Sequence, residues 1–169
     1  MIESYICTIK MLIMDVDGTL TDGKLYMGQE GELFKVFDIK DGYAIKEMLP
    51  KYGITPIIIT GRTSKIVDNR AKEIGVKLVY QGINDKLVQI KTIANENTVT
   101  MEEIAYIGDD LNDLDCIKTC GLGGCPADAV SEIKKNAEYV AEKPGGFGAV
   151  RDFVEYIIKK NNKHKNNNI

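Results

Sequence analysis

Four apolar runs in this chain end in polar residues at the point where a strand would leave a sheet. They are KMLIMDVD (10–17), ITPIIIT (54–60), KLVYQG (77–82) and IAYIGDD (104–110). Each reads as a buried strand, and stretches with helical spacing lie between them. Strands that alternate with helices imply α/β architecture: a three-layer, Rossmann-like parallel sheet with helices on both faces.

The helical stretches have recognisable ends. TSKIVDNRAKEIG is capped by Thr63 or Ser64 and closed by Gly75. NDKLVQIKTIANEN, NDLDCIKTC and AVSEIKKNA predict further helices, and FGAVRDFVEYIIKK an amphipathic one. GYAIKEMLPKY places Ile45, Met48, Leu49 and Tyr52 at helical spacing, with Pro50 expected to disturb the last turn. Asp41 stands where a helix cap would. TMEE (100–103) resembles a capping box. KLYM and ELFKVF, separated by GQEG, predict a β-hairpin over about residues 23–38. GLGGCP reads as a short strand or turn, and EYVAE as a last strand.

At 169 residues the chain suits one domain, set at 1–160, with a polar stretch at 161–169 whose composition predicts disorder. That stretch holds the only histidine, His164. The net charge of −3 argues against a nucleic-acid partner. No apolar run approaches the ~20 residues of a membrane span, and the N-terminus, with Glu3, does not read as a signal peptide. A cytoplasmic location with no membrane partner is therefore expected. The four cysteines (Cys7, Cys116, Cys120, Cys125) then read as reduced thiols. The spacing of the last three matches no common zinc pattern, so they are expected to pack as small apolar groups.

Ligands of parallel sheets sit at the carboxyl ends of the strands. Asp15 and Asp17 end the first strand, Thr60, Gly61 and Arg62 the second, and Asp109 and Asp110 the fourth; Lys86 opens the helix after the third. Carboxylates gathered at one edge repel unless a cation sits among them, and magnesium is the natural choice. Asp15 is placed to act as a nucleophile that forms an aspartyl phosphate. Asp17, two residues on, returns to the same side and can serve as acid and then base. Gly18 lets the backbone turn. Thr60 and Lys86 offer a hydroxyl and a positive charge to a phosphate. Read singly, Arg62 is equally a surface cation, Asp41 equally a substrate contact, and GGFG (145–148) equally a simple turn.

Taken together, DVDGTLTDG, Thr60 in IITGR, Lys86 in QGINDK and Asp109 in YIGDDLNDL resemble the four ordered motifs of the haloacid dehalogenase superfamily of phosphohydrolases, over about residues 8–157. The resemblance implies Asp15 as nucleophile and metal ligand, and Asp17 as acid/base and ligand through its backbone carbonyl. It further implies Asp109 as metal ligand and Thr60 and Lys86 as phosphate binders, with Mg2+ as cofactor. Asp110 and Asp113 either ligate the metal or orient its water. FDIKDGYAIK, TGRTSKIVDNRAKEIG, YQGINDK and PGGFGAVRD resemble the 3-deoxy-D-manno-octulosonate 8-phosphate phosphatase subfamily, which implies a hairpin insert instead of a cap domain. It also implies a role in lipopolysaccharide biosynthesis, a homotetramer, and a phosphorylated sugar acid as substrate, with Arg62 near it. The apolar residues on both hairpin strands (Leu25, Tyr26, Leu33, Phe34, Val36, Phe37) predict assembly through the hairpin. Phe147 stands where that subfamily often has a basic residue or histidine, which leaves a nine-carbon ulosonate phosphate, or another phosphomonoester, open as substrate. A non-catalytic partner domain of a sugar cytidylyltransferase is the reading from another class, and the intact motif residues argue against it.

Overall fold

A computed structural model describes residues 8–167 of the chain. Among the described residues, eight strands form two sheets. The main sheet has the order β5-β4-β1-β6-β7-β8 and consists of β1 (Met11–Met14), β4 (Thr55–Ile59), β5 (Leu78–Tyr80), β6 (Ile104–Ile107), β7 (Leu122–Cys125) and β8 (Tyr139–Val140). All its pairings are parallel. The second sheet is the predicted hairpin, β2 (Tyr26–Gly28) and β3 (Gly31–Phe34), which pair antiparallel.

The three layers follow from strand alternation. Leu12 and Met14 of β1 point into one core, with Ala44, Ile45 and Leu49, with Val67, Ala71 and Ile74, and with Val150, Phe153 and Ile157. Met11 and Ile13 point into the other, with Ile90 and Ile93, Cys116 and Ile117, and Ile133. Helices α1 (Ile39–Tyr43), α2 (Leu49–Lys51), α3 (Lys65–Glu73) and α7 (Ala149–Asn167) thus cover one face. Helices α4 (Lys86–Asn97), α5 (Leu114–Thr119) and α6 (Ser131–Asn136) cover the other. Because β1 is buried on both sides, its sequence is apolar throughout.

Cys116, Cys120 and Cys125 are buried in the second core, as expected. Burial pushes the Cys116 thiol up to about 12 and the Cys125 thiol up to about 11, so both are protonated packing groups. Cys7 lies outside the described residues. The capping box at Thr100 and Glu103 is present.

Several local expectations are corrected. Pro50 does not disturb the last turn, which is helical over Leu49–Lys51; the disturbance lies one turn earlier, where Ala44–Met48 is a π-helical turn in which the Leu49 N–H donates to the Ala44 carbonyl. Pro50 has no N–H, and its ring crowds the carbonyl four residues back, which the wider turn relieves. Ser64 starts α3, but its side chain caps nothing there; its hydroxyl donates to Glu32 at 3.1 Å. Asp38, not Asp41, caps α1. Asp41 is buried and accepts from the Arg151 N–H at 2.7 Å. The stretch from residue 161 is helical as far as Asn167. Buried Asn161 pins that helix to Ile9 by two hydrogen bonds, accepting from its N–H at 3.0 Å and donating to its carbonyl at 2.9 Å.

Candidate active site

β1 sits between β4 and β6, so the carboxyl ends of these strands form one edge at the point where strand order reverses. Asp15 continues the β1 ladder, donating its N–H to the Ile107 carbonyl at 3.0 Å. The chain then curls tightly. The N–H groups of Thr19, Leu20 and Thr21 all donate to the Val16 carbonyl, at 3.2, 2.9 and 3.1 Å. Gly18 has φ 93°, and a Cβ there would lie 2.0 Å from the Asp109 carboxylate. Only glycine lets the loop reach Asp109 in this way. Thr19 donates its hydroxyl to Asp109 Oδ1 at 3.2 Å.

Lys86, the first residue of α4, is buried under the edge. Its Nζ lies 2.6 Å from Asp15 Oδ1 and 2.6 Å from Asp113 Oδ1. Asp113 is fully buried and also accepts from the Tyr106 hydroxyl at 2.5 Å and from the N–H groups of Asp109 at 3.0 Å and Asp110 at 3.3 Å. It therefore fixes the loop that carries Asp109. Asp110 itself caps the 3-10 turn Leu111–Asp113.

The electrostatics show too few positive charges among too many carboxylates. Burial and the Asp113 charge raise Asp15 to about 8 despite Lys86. Burial and Asp113 likewise raise Asp109 to about 6. Burial works against the charge on Lys86, but Asp15 and Asp113 outweigh it and push its pKa up. One oxygen from each of Asp15, Asp109 and Asp113 can be chosen so that all lie within 4.8 Å of one another. Such an all-oxygen, negatively charged set fits a hard divalent cation.

A cleft of about 250 Å³ opens above, lined by Asp15, Asp17, Thr60, Gly61, Arg62 and Asp109 together with Gly23, Asp110 and Asn112. The edge thus brings together Asp15, Asp17, Thr60, Gly61, Arg62 and Asp109, with Lys86 bonded to Asp15 from below. Thr60 is buried, and its Oγ1 accepts from the Arg62 N–H at 3.4 Å. Arg62 is the most solvent-exposed of the gathered cations and stands 3.5 Å from Glu32. The Asp17 carboxylate lines the same cleft and pairs with Lys35 of the hairpin. Sequence reading did not single out Lys35, Glu32 or Asn112. Lys35 gives one faint signal, a lone charge between Phe34 and Val36.

Residues 79–154 match the family model of the haloacid dehalogenase-like hydrolases. The curated 3-deoxy-D-manno-octulosonate 8-phosphate phosphatase of Escherichia coli K12 is 39% identical over 150 residues, which cover 89% of this chain and 79% of that one. The chain belongs to the haloacid dehalogenase-like hydrolases. Within them it is of the phosphatase type. The structure of the Moraxella catarrhalis 3-deoxy-D-manno-octulosonate 8-phosphate phosphatase, in complex with magnesium, phosphate and KDO, matches with a TM-score of 0.88 and 39% identity, covering 92% of this chain and 88% of that one. The cobalt-bound Haemophilus influenzae phosphatase matches with a TM-score of 0.88 and 37% identity, covering 92% and 91%. No helix among the described residues is long and apolar enough to cross a membrane.

Proposed function

We propose that this hydrolase is a magnesium-dependent phosphomonoesterase whose substrate is 3-deoxy-D-manno-octulosonate 8-phosphate, and that it works through an aspartyl phosphate. The observation that carries the reading is the convergence of Asp15, Asp17, Thr60, Lys86 and Asp109 at one sheet edge, in a chain whose relatives bear that activity.

An oxygen of Asp15 attacks phosphorus, and the bond from phosphorus to the sugar oxygen breaks. Asp17 gives the departing oxygen its proton. Asp17 then takes a proton from water as that water attacks the aspartyl phosphate, and inorganic phosphate leaves. Lys86 holds Asp15 in place and adds positive charge below the transferring group; Thr60 and Gly61 line the phosphate side. Asp15, Asp109 and the Asp17 carbonyl would hold the magnesium, with Asp113 behind them. Bound there, the ion offsets the carboxylate repulsion and stabilises the charge of the transferring phosphoryl group.

Arg62 is the cleft's exposed guanidinium and suits a substrate carboxylate. The second reading, a nine-carbon ulosonate phosphate, is favoured by one observation: Phe147 is 60% exposed, where the subfamily often carries a basic group. Assembly as a homotetramer through the hairpin is part of the proposal, supported by the exposure of Leu25, Leu33, Phe34 and Val36.

The deciding experiment is phosphate release from eight-carbon, nine-carbon and hexose phosphates, with and without magnesium. The eight-carbon acid should give the highest kcat/KM. Arg62→Glu should raise KM more than it lowers kcat. Clear preference for the nine-carbon acid or a hexose would move the substrate assignment, and no release from any would refute the activity.

A further inference from the structure

The hairpin is open to solvent on one side, yet its Lys35 is 8% exposed. A lysine ammonium out of water is costly unless it is paired. Here it has two carboxylates: that of Asp17, and Glu32 Oε1 at 2.9 Å. Glu32 is itself tethered, accepting from the Ser64 hydroxyl at 3.1 Å and facing Arg62 at 3.5 Å. A continuous chain of contacts therefore runs from the start of α3, through the hairpin, to Asp17. Among the described residues, Lys35 is the only side chain that bonds the Asp17 carboxylate.

We infer that Lys35 is a positioning residue: an internal ammonium, delivered by the hairpin, that holds the Asp17 carboxylate facing the leaving group. The inference rests on the proposed role of Asp17. Without Lys35, Asp17 and Glu32 would face each other as two carboxylates with no shared cation. Asp17 would then rotate out of reach of the oxygen it must protonate. The hairpin thereby has a task in the chemistry of its own subunit, separate from any surface it presents.

The test uses the dependence on leaving group. A sugar alkoxide leaves only with a proton, whereas p-nitrophenolate leaves without one. Single-turnover phosphoryl transfer should be measured for the wild type and Lys35→Met on a sugar-acid phosphate and on p-nitrophenyl phosphate. Lys35→Met should slow the sugar-acid reaction by about 10²-fold, and the nitrophenyl reaction less than about threefold, with little change in KM. These rate constants do not depend on the folded fraction, so their ratio survives partial misfolding. Lys35→Arg should recover most of the sugar-acid rate. In an Asp17→Asn background, Lys35→Met should slow the reaction no further, because both changes remove one function. Equal slowing on both substrates, or additive loss in the double variant, overturns the Lys35 role while leaving the phosphatase reading intact. A wild type that hydrolyses neither substrate overturns both.

Discussion

Gly145 packs so closely on Gly18 that a Cβ at residue 145 would lie 1.9 Å from the Gly18 carbonyl oxygen. The Gly146 N–H donates to the Thr19 carbonyl at 3.2 Å, and the Gly145 N–H to Asp128 Oδ1 at 2.9 Å. The GGFG segment is thus a buttress behind the loop that carries Asp15 and Asp17. Gly145→Ala must push that loop. Overpacking of this kind costs about 1–3 kcal/mol, and an ångström of displacement in a catalytic group costs about 10²-fold in rate. Urea unfolding and phosphate release on the same preparation check both. Wild-type values in each would show that the loop yields freely.

Lys86 is the only cation that touches Asp15 and Asp113 among the described residues. Lys86→Met leaves two buried carboxylates facing each other. Breaking a buried pair by removing one partner costs about 3–5 kcal/mol. We expect a destabilised protein whose phosphate release falls to background, and whose melting temperature rises more with magnesium than that of the wild type. Undiminished stability in metal-free buffer would mean that the site rearranges.

Much of this was legible because it is local. The apolar run at 11–14 followed by Asp15 and Asp17 marks a strand end, and alternation within it assigns Leu12 and Met14 to one core and Met11 and Ile13 to the other. What was not legible comes from contacts between distant residues. Asn161 looks like the start of a polar tail until Ile9, 152 positions away, supplies its partners. Lys35 looks like a surface charge until the loop brings Asp17 beneath it. Asp113 looks like one acid among several, and only the fold places Tyr106, Lys86 and two backbone amides around it. Phe37 counts as a hairpin apolar residue by sequence, but it packs inward against the core, with the Arg70 guanidinium 5.6 Å from its ring.

That last difference fixes how assembly should be tested. Leu33 is 65% exposed and leaves the core untouched. Leu33→Asp should dissociate the proposed tetramer at unchanged subunit stability, and lower kcat/KM if a neighbour walls the cleft. Sedimentation with activity measured across the boundary checks it. A wild type that sediments as a fully active monomer would end the hairpin-assembly model.

Metal removal should act on stability as well as rate. The oxygens of Asp15, Asp109 and Asp113 crowd within 4.8 Å, and a divalent ion relieves their repulsion. Excess chelator should abolish phosphate release and lower the melting temperature; magnesium should restore both. Calcium should bind yet inhibit, since it favours more ligands and looser geometry. Full turnover in chelator would defeat the metal-dependent reading.

A pH effect on folding should trace to Asp41, which lies apart from the acidic cluster. Burial raises its pKa from 3.8 to about 6, and the charge on Asp38 adds to this, against the Arg151 N–H and Arg70. Its Oδ2 is buried with no hydrogen-bond partner of good geometry among the described residues, and the loss of hydration outweighs the help from the Arg151 and Gly148 N–H groups. The sign follows from linkage: a group that binds its proton more tightly when folded favours the fold below its unfolded pKa, and that contribution is lost as pH rises through the folded value. At about 1.4 kcal/mol per pKa unit, the loss between pH 3.8 and pH 6 is at most about 3 kcal/mol. Asp41→Asn keeps an acceptor for the Arg151 N–H and removes the charge. The variant should therefore be more stable than wild type near pH 7.5, with the difference shrinking toward pH 4.5. Urea midpoints of both proteins at the two pH values measure it. A variant less stable than wild type near pH 7.5 would mean that the ionised Asp41 carboxylate is favoured by its surroundings, contrary to the burial seen here.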